Sequence, residues 1–265
     1  MDSLRRINAV FLRHLYIMRG SPARIVEIIF WPTMQMILWG FISRFFSAVQ
    51  GSGVHVALGM LLGGVFLWDF LFRTQLGVAI SYLEEIWSRN LGHLFVSPLR
   101  LWEWWTGLIL FSFARVMVGF IPAALLAIPF YGFSIFGMGL PMLVFFLNLT
   151  FMGWWLGFLI TGLLIRLGPS AESLVWAFTF ALAPVSAVYY PVTTLPPWLQ
   201  PFSHALPSSH VFEGLRALVQ HQVFDAGEMA TALLLNCVYM ALSVAFLRYA
   251  FNYARRTGTL LQGGE

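Results

Sequence analysis

One group of residues that could carry acid–base or metal chemistry lies in the last third of the chain. Ser208, Ser209 and His210 are adjacent, but no glycine-flanked turn of the kind that presents a nucleophilic serine surrounds them. His204, His210 and His221 follow one another at spacings that fit no common zinc-ligand pattern. We therefore expect neither hydrolysis nor a metal site here, and we expect these side chains to cap or hydrogen-bond short helices.

A second group consists of charges inside long apolar segments. Asp69 and Arg73 are four residues apart, so on a helix they share one face. Arg115 lies about 16 Å into another apolar segment, where a charge must face protein or water. We expect an Asp69–Arg115 ion pair between the two segments. Contact between Arg115 and a bound ligand remains the alternative.

A third group lies in the segment 82–98 and comprises Glu84, Glu85, Trp87, Arg89, Asn90 and His93. Leucines recur with Trp87 on the opposite stripe at helical spacing, and Pro98 ends the segment. A surface of charges around an aromatic residue suits either a helix that lies on a bilayer or a helix that docks on another protein.

The sequence contains no lysine, and all 15 basic residues are arginines. A P-loop places a lysine on the nucleotide phosphates, so this chain cannot form one. If ATP powers the protein, a different polypeptide must hydrolyse it. The single Cys237 excludes a disulfide within one chain and a zinc site built on cysteines.

Composition indicates which elements position these groups. Hydrophobic residues make up 59% of the 265 residues and charged residues 10%, against about 45–50% and about 25% in soluble domains. So few charges exclude a soluble enzyme, a nucleic-acid-binding protein and a disordered chain. At about 20 residues per crossing, the length accommodates about six transmembrane helices.

The sequence therefore predicts an all-α polytopic membrane protein with a single transmembrane domain over 1–265. Its first element is an interfacial amphipathic helix over 1–20, with an apolar stripe and arginines largely off that stripe. Gly153 and Gly157 permit close helix packing, either inside one subunit or between two. The six transmembrane spans are predicted over 24–46, 54–77, 103–131, 139–165, 171–190 and 228–249.

Prolines interrupt the chain between spans five and six, since six of the 13 prolines fall between Pro184 and Pro207. The segment 191–220 is too polar and too broken to span, so we expect short external helices of the re-entrant type that dip into the outer leaflet. With the N-terminus placed inside, 12 of the 15 arginines lie on its side of the membrane. Both termini are therefore expected in the cytoplasm.

Several motifs follow one another in order along the chain. An amphipathic helix precedes RGSPARIVEIIFWP, and EEIWSRNLGHLFVSPLR then joins the second and third spans, with Ser97-Pro98-Leu99 near its end. A late group comprises Tyr190, Pro191, Leu195, Pro196, Trp198, Pro207, Glu213 and Arg216. Together these motifs resemble the membrane subunit of type-2 ABC exporters, whose late signature begins with FYP where this chain has Tyr189 as the first residue.

The resemblance implies a permease that is not an enzyme and has no cofactor of its own. Two copies of the chain would form the pathway in a bacterial-type inner membrane, surrounded by membrane lipid. Two ATPase subunits would bind ATP and magnesium and would contact the coupling segment 82–98. The segment 191–220, with the late group of residues, would form an external gate. The substrate does not follow from the resemblance: the 26 Phe and 11 Trp residues suit a path for a lipid, a drug or a glycan-linked lipid, and equally a surface that faces lipid tails.

Two other functions remain open from the residues alone. A secondary transporter predicts inverted repeats with matched broken helices, whereas the chain has one broken external segment without a counterpart. A membrane-embedded enzyme needs several His, Asp or Glu residues that converge within the spans, and only Asp69 qualifies clearly. We expect no metal and no nucleic-acid partner.

Overall fold

The computed structural model describes residues 2–50 and 54–258, and every regular element in these ranges is helical. The α-helices are α1 (Asp2–Arg19), α2 (Pro22–Gln50), α3 (Val54–Trp87), α4 (Leu91–Val96), α5 (Leu101–Tyr131), α6 (Gly139–Leu167), α7 (Leu174–Leu182), α8 (Gln200–His204), α9 (Pro207–His221) and α10 (Ala226–Thr257). Short 3-10 segments lie at Ile135–Met138, Pro169–Ala171 and Val192–Thr194. For the described residues, the all-α prediction is confirmed.

Four helices are long and apolar enough to cross a membrane, which confirms a multi-pass membrane protein. These candidate spans are Pro22–Phe45, Leu101–Tyr131, Leu140–Leu167 and Ala226–Thr257. Helix α3 has 34 residues but carries Asp69 and Arg73 near its middle. Helix α7 has nine residues, about 13 Å against a hydrocarbon core of about 30 Å. The count of six spans therefore stays a prediction.

The predicted fifth span is not one continuous helix. Helix α7 ends at Leu182, two residues before Pro184, which has no backbone N–H to donate to the carbonyl four residues earlier and so interrupts the helical hydrogen bonds. The chain then turns through Ala187, which is buried and has a φ of +53°. The prediction of a helix over 171–190 is therefore wrong beyond Leu182.

Helix α3 is the centre of the bundle. It packs against α2, α5, α6, α7 and α9, and most of its side chains are buried. Phe70 and Leu71 of α3 lie in one apolar cluster with Phe145, Leu149 and Met152 of α6. Helices α2 and α10 expose much of their apolar surface, so they form outer walls of the single chain.

Helix α6 approaches α3 through two glycines. A Cβ atom on Gly153 would lie 2.7 Å from the Cβ of Thr74, and one on Gly157 would lie 2.7 Å from the Cβ of Val78. Only residues without a side chain allow the two backbones to come so close. Both glycines therefore serve packing within one chain, which is the first of the two predicted alternatives.

A buried polar network joins α6 to α10. The indole N–H of Trp155 donates to Oδ1 of Asn236 at 2.9 Å, and the Asn236 amide donates to the backbone carbonyl of Asn148 at 3.0 Å. Inside a membrane no water is present to bond these groups, so they satisfy one another. The network fixes how the two helices lie against each other.

Replacement of Gly157 by alanine is expected to lower stability, because the added methyl meets the Cβ of Val78 rather than the flexible end of a side chain. We expect a loss of about 1–3 kcal/mol, seen as a lower midpoint of thermal unfolding in detergent. Gly137→Ala is the matched control, since the nearest atom to its Cβ, in Ser134, is 3.7 Å away. Equal midpoints for the two variants would contradict the close approach of α3 and α6.

Candidate functional site

Glu85, near the end of α3, is almost completely buried, with 1% of its surface exposed. Its carboxylate accepts hydrogen bonds from Arg13 and, at 2.8 Å, from the side-chain amide of Asn90. The Nε2 atom of His14 lies 3.3 Å from the same carboxylate. Since Arg13 and His14 belong to α1, the amphipathic N-terminal helix is tied to the end of α3 at a point removed from water.

The adjacent Glu84 ties α2 to the same point. Its Oε1 atom accepts a hydrogen bond from Arg24 at 3.0 Å, and its Oε2 atom lies 3.6 Å from Nδ1 of His14. The buried His14 ring lies between the two carboxylates and against Phe111 of α5, with ring centroids 5.3 Å apart. Four helices therefore meet at a carboxylate cluster that consists of Arg13, His14, Arg24, Glu84 and Glu85.

The charges of the carboxylate cluster stabilise one another. Burial alone would lower the pKa of His14, but the adjacent carboxylates of Glu84 and Glu85 outweigh it and raise this pKa. Burial alone would raise the pKa of each carboxylate, but His14 and the arginines outweigh it and lower both. The cluster therefore stabilises the fold at neutral pH. That contribution is lost on acidification through the carboxylate pKa values, and in part as His14 loses its proton at higher pH.

Arg6 forms a second attachment of α1. Its guanidinium donates to both carboxylate oxygens of Glu103, at 2.8 and 2.7 Å. Glu103 also accepts from the backbone N–H of Arg100 at 2.9 Å, which caps the start of α5. A bidentate pair of this kind is the strong form of an arginine–carboxylate contact. Helix α1 is thus held on α3 and on α5 by separate ion pairs.

The structure corrects the role predicted for Glu84 and Glu85. They do not line an exposed docking surface, because both carboxylates are bonded inside the carboxylate cluster. The physical reason is that a carboxylate removed from water is stable only when cations and hydrogen-bond donors surround it, and Arg13, His14 and Arg24 supply them here. Sequence reasoning missed Arg13, His14 and Arg24 as their partners, and the only signal was the arginine-rich polar side of the first helix.

An exposed surface lies beside the carboxylate cluster. Helix α3 ends at Trp87, which is 55% exposed, and Arg89 and His93 are exposed after it. Val96, the last residue of α4, is 89% exposed. The predicted segment 82–98 is thus not one helix but the last turn of α3, a short turn and the six-residue α4. We call Trp87, Arg89, His93 and Val96 the exposed α4 surface.

The turn between α3 and α4 has a defined backbone geometry. Arg89 has a φ of +53°, the left-handed region that glycine usually occupies at the end of a helix. Its N–H donates to the Ile86 carbonyl at 2.9 Å, and the Asn90 N–H donates to the Glu85 carbonyl at 3.0 Å, which together form a Schellman motif. A residue with a side chain costs about 1–3 kcal/mol in this region, which marks Arg89 as a candidate functional position.

The predicted Asp69–Arg115 ion pair is not formed. Oδ2 of Asp69 accepts instead from Nε of Arg73 at 2.6 Å, one turn further along α3. Arg115 forms no ion pair with any residue of the described ranges, and the carboxylates that favour its charge are Glu84 and Glu27. The reason is local, since a partner four residues along one helix is always within reach, whereas a partner on another helix depends on packing.

A narrow strip of α3 is partly exposed where its neighbours in sequence are buried. Within 62–83, the residues that are not buried are Asp69, Phe72, Arg73 and Ile80. Phe72 contacts Phe180 of α7 with ring centroids 5.0 Å apart, and Trp39 of α2 stacks on Tyr189 at 4.9 Å. Tyr189 lies within electrostatic range of Asp69. We call Asp69, Phe72 and Arg73 the α3 strip, which places one ion pair beside aromatic rings.

Glu213 and Arg216 of α9 form an ion pair that holds the loop after α7. Their charged atoms are 3.0 Å apart. Glu213 accepts from the backbone N–H of Val192 at 2.8 Å, and Arg216 donates to the backbone carbonyl of Ala187 at 2.9 Å. The pair thus fixes the loop on α9 at two points, and one of these points is Ala187, whose φ is positive.

The other residues of the predicted external gate differ in exposure. Leu195 and Pro207 are buried, and the hydroxyl of Tyr190 donates to the Pro184 carbonyl at 2.6 Å. Helices α8 and α9 supply the short helices expected in 191–220, while their depth in the membrane stays a prediction. The exposed members are Pro191, Pro196 and Trp198, the last of which is 70% exposed.

The polar side chains beside the predicted external gate bond to one another, as the sequence predicts. Nδ1 of His210 lies 2.5 Å from Oε2 of Glu228 at the start of α10, and its Nε2 lies 2.8 Å from the backbone carbonyl of His204. The Ser208 hydroxyl donates to that of Ser186 at 2.9 Å. These contacts join the loop after α7, α8, α9 and α10.

Comparison with known proteins connects these features to a family. The model of the ABC-2 type transporter family matches residues 21–220. This range includes α2 to α8 and almost all of α9, and therefore the two carboxylates of the cluster, the exposed α4 surface and the external segment. No curated protein matches the chain. Because the family model covers most of the sequence, the chain belongs to the ABC-2 type transporter family.

Proposed function

We propose that this chain is the permease of an ATP-driven exporter, in which two copies form the pathway and two ATPase subunits drive it. The family supports a membrane transport subunit. The observation that carries the proposal further is the exposed α4 surface, which combines apolar, aromatic and basic residues on an element attached to the carboxylate cluster. ATP and magnesium would bind to the ATPase, and this chain would need no cofactor.

Force from the ATPase would enter through the exposed α4 surface. Trp87 supplies a large apolar anchor, and Arg89 and His93 supply the polar rim that surrounds such anchors in interfaces. Glu85 lies two residues before Trp87 and bonds α1, so a displacement of this surface moves α1 and α2 together with α3. Trp87, Arg89 and His93 would contact the ATPase, whereas the carboxylates of Glu84 and Glu85 would transmit the movement.

Six crossings with both termini in the cytoplasm complete the proposed topology. Helix α3 would supply the second crossing, and α7 with the loop after it would supply the fifth. The end of α3, the start of α5 and the ends of α6 and α10 would then lie at the cytoplasmic boundary, where the positive-inside rule places arginines. The arginines there include Arg89, Arg100, Arg166, Arg255 and Arg256.

The α3 strip would line the translocation pathway. An ion pair near the middle of a membrane helix must face protein or water rather than lipid tails, so the strip favours a position between the two copies. Charge and aromatic rings side by side suit an amphiphilic substrate, in agreement with a lipid, a drug or a glycan-linked lipid. At the outer end, α8 and α9, held by Glu213 and Arg216, would form the gate.

Trp87→Ala is expected to weaken association with the ATPase by about 30-fold, as for an interface anchor worth about 2 kcal/mol. The measurement is a binding titration of the purified ATPase against the permease in detergent. Trp198→Ala is the matched control, because it removes an exposed tryptophan from the external segment. Equal affinities of the two variants would show that the ATPase binds elsewhere.

Arg89→Gly separates folding from coupling. Glycine adopts a positive φ without strain, so we expect the unfolding midpoint to stay the same or to rise, by up to about 1 kcal/mol in stability. ATPase stimulation should fall, because the side chain that contacts the partner is lost. Arg89→Ala is the control, since it removes the same side chain but keeps the strained backbone. Unchanged stimulation in both variants would exclude Arg89 from the interface.

Glu85→Gln is expected to loosen α1, because breaking one side of a buried ion pair costs about 3–5 kcal/mol. Amide hydrogen exchange should accelerate along α1, while the amides of α6 and α10 keep their protection. Glu172→Gln is the control, since it removes a partly exposed carboxylate just before α7. If α1 exchanges at the same rate in both variants, the carboxylate cluster does not hold that helix.

A further inference from the structure

A cavity of about 530 Å³ lies between α4, the start of α5 and the end of α10. Its walls are mainly apolar and include Leu94, Leu99, Trp104 and Phe251. The volume lies within the range of about 300–1,000 Å³ that is typical of small-molecule sites. Neither the proposed pathway nor the external gate includes this cavity, but Val96 belongs both to its lining and to the exposed α4 surface.

Two arginines add positive charge to the cavity. Arg100 and Arg255 belong to its lining, and both are exposed. Neither guanidinium forms an ion pair with a carboxylate of the described ranges. For Arg100, the nearest acidic residue in sequence is Glu103, whose carboxylate is bonded by Arg6. Guanidinium groups bind phosphate oxygens through paired hydrogen bonds. The cavity thus combines apolar walls with two cations that are available to an anion.

The cavity lies beside the start of the candidate span Leu101–Tyr131, near the boundary of the membrane. Trp102 is exposed there, where tryptophan concentrates between membrane and water, whereas Trp104 and Trp105 are buried in the bundle. A free phosphate would gain nothing from the apolar walls, and an uncharged apolar ligand would gain nothing from the two arginines. A phospholipid with a negatively charged head group matches both features of the lining.

We propose that this cavity binds one anionic phospholipid, with its phosphate on Arg100 and Arg255 and part of an acyl chain against the apolar wall. Basic pockets between transmembrane helices are known to bind such head groups. The proposed topology places this lipid in the cytoplasmic leaflet. The binding of the lipid does not depend on that topology. Because the cavity lies between α4 and α10, the bound lipid holds the exposed α4 surface against the bundle.

The test is a titration of the full-length chain, purified in detergent, with phosphatidylglycerol. Native mass spectrometry measures binding, and thermal unfolding measures the shift of the midpoint. We expect phosphatidylglycerol to bind and to raise the midpoint, and phosphatidylcholine and glycerol phosphate to do neither. The double variant Arg100→Gln with Arg255→Gln should bind phosphatidylglycerol about 30-fold more weakly, which corresponds to about 2 kcal/mol for two basic residues.

The matched control is Arg19→Gln with Arg256→Gln, which removes the same charge from exposed positions outside the cavity. Equal losses in the two double variants would overturn the site, because attraction would then depend on net charge alone. Equal binding of phosphatidylcholine, or an equal midpoint shift from glycerol phosphate, would overturn the assignment to an anionic lipid. The midpoints without lipid show whether each variant folds. No ATPase is present, so failure here leaves the permease proposal untouched.

Discussion

Two adjacent carboxylates at the end of α3 form the contact on which the N-terminal part of the structure depends. A carboxylate removed from water is stable only when cations and hydrogen-bond donors surround it. Arg13, His14 and Asn90 surround Glu85, and Arg24 bonds Glu84. Helix α1 cannot separate from the bundle without leaving buried charge uncompensated. The positions of α1, of the first turn of α2 and of the turn before α4 therefore depend on one cluster.

The same constraint separates two kinds of charged residue in this protein. Some charged residues pair with a neighbour about one helical turn away, as Asp69 does with Arg73 and Glu213 with Arg216. Each partner neutralises the other, so no isolated charge lies among the apolar helices. Other basic residues have no carboxylate partner in the described ranges, and Arg100 and Arg255 are among them. Among them, Arg89, Arg100 and Arg255 lie at the helix ends where an ATPase or lipid head groups are expected, whereas Arg115 lies inside α5.

Properties of contiguous stretches of sequence predicted most of the fold. The site depends on contacts between helices that are distant in sequence, and these contacts were mostly not predicted. Apolar length is local, so the third span, expected at 103–131, corresponds to α5 at Leu101–Tyr131. Hydropathy does not detect a break in the backbone, so it predicts a fifth span that continues past Pro184. Partner choice depends on packing between helices that are distant in sequence. Amphipathic spacing showed that Glu84 and Glu85 lie on a polar face, but not that α1 would cover that face.

The central claim is that α1 and the turn before α4 move as one body when ATP drives the complex. Distances between spin labels at Tyr16→Cys and Ser88→Cys, in a Cys237→Ser background, test it directly, because both positions and Cys237 are exposed. The permease would be measured in complex with its ATPase, with and without ATP. We predict an unchanged Tyr16–Ser88 distance distribution and a shifted distribution between Ser88 and a label at Val223 before α10. A Tyr16–Ser88 distribution that shifts or broadens with ATP would contradict the claim.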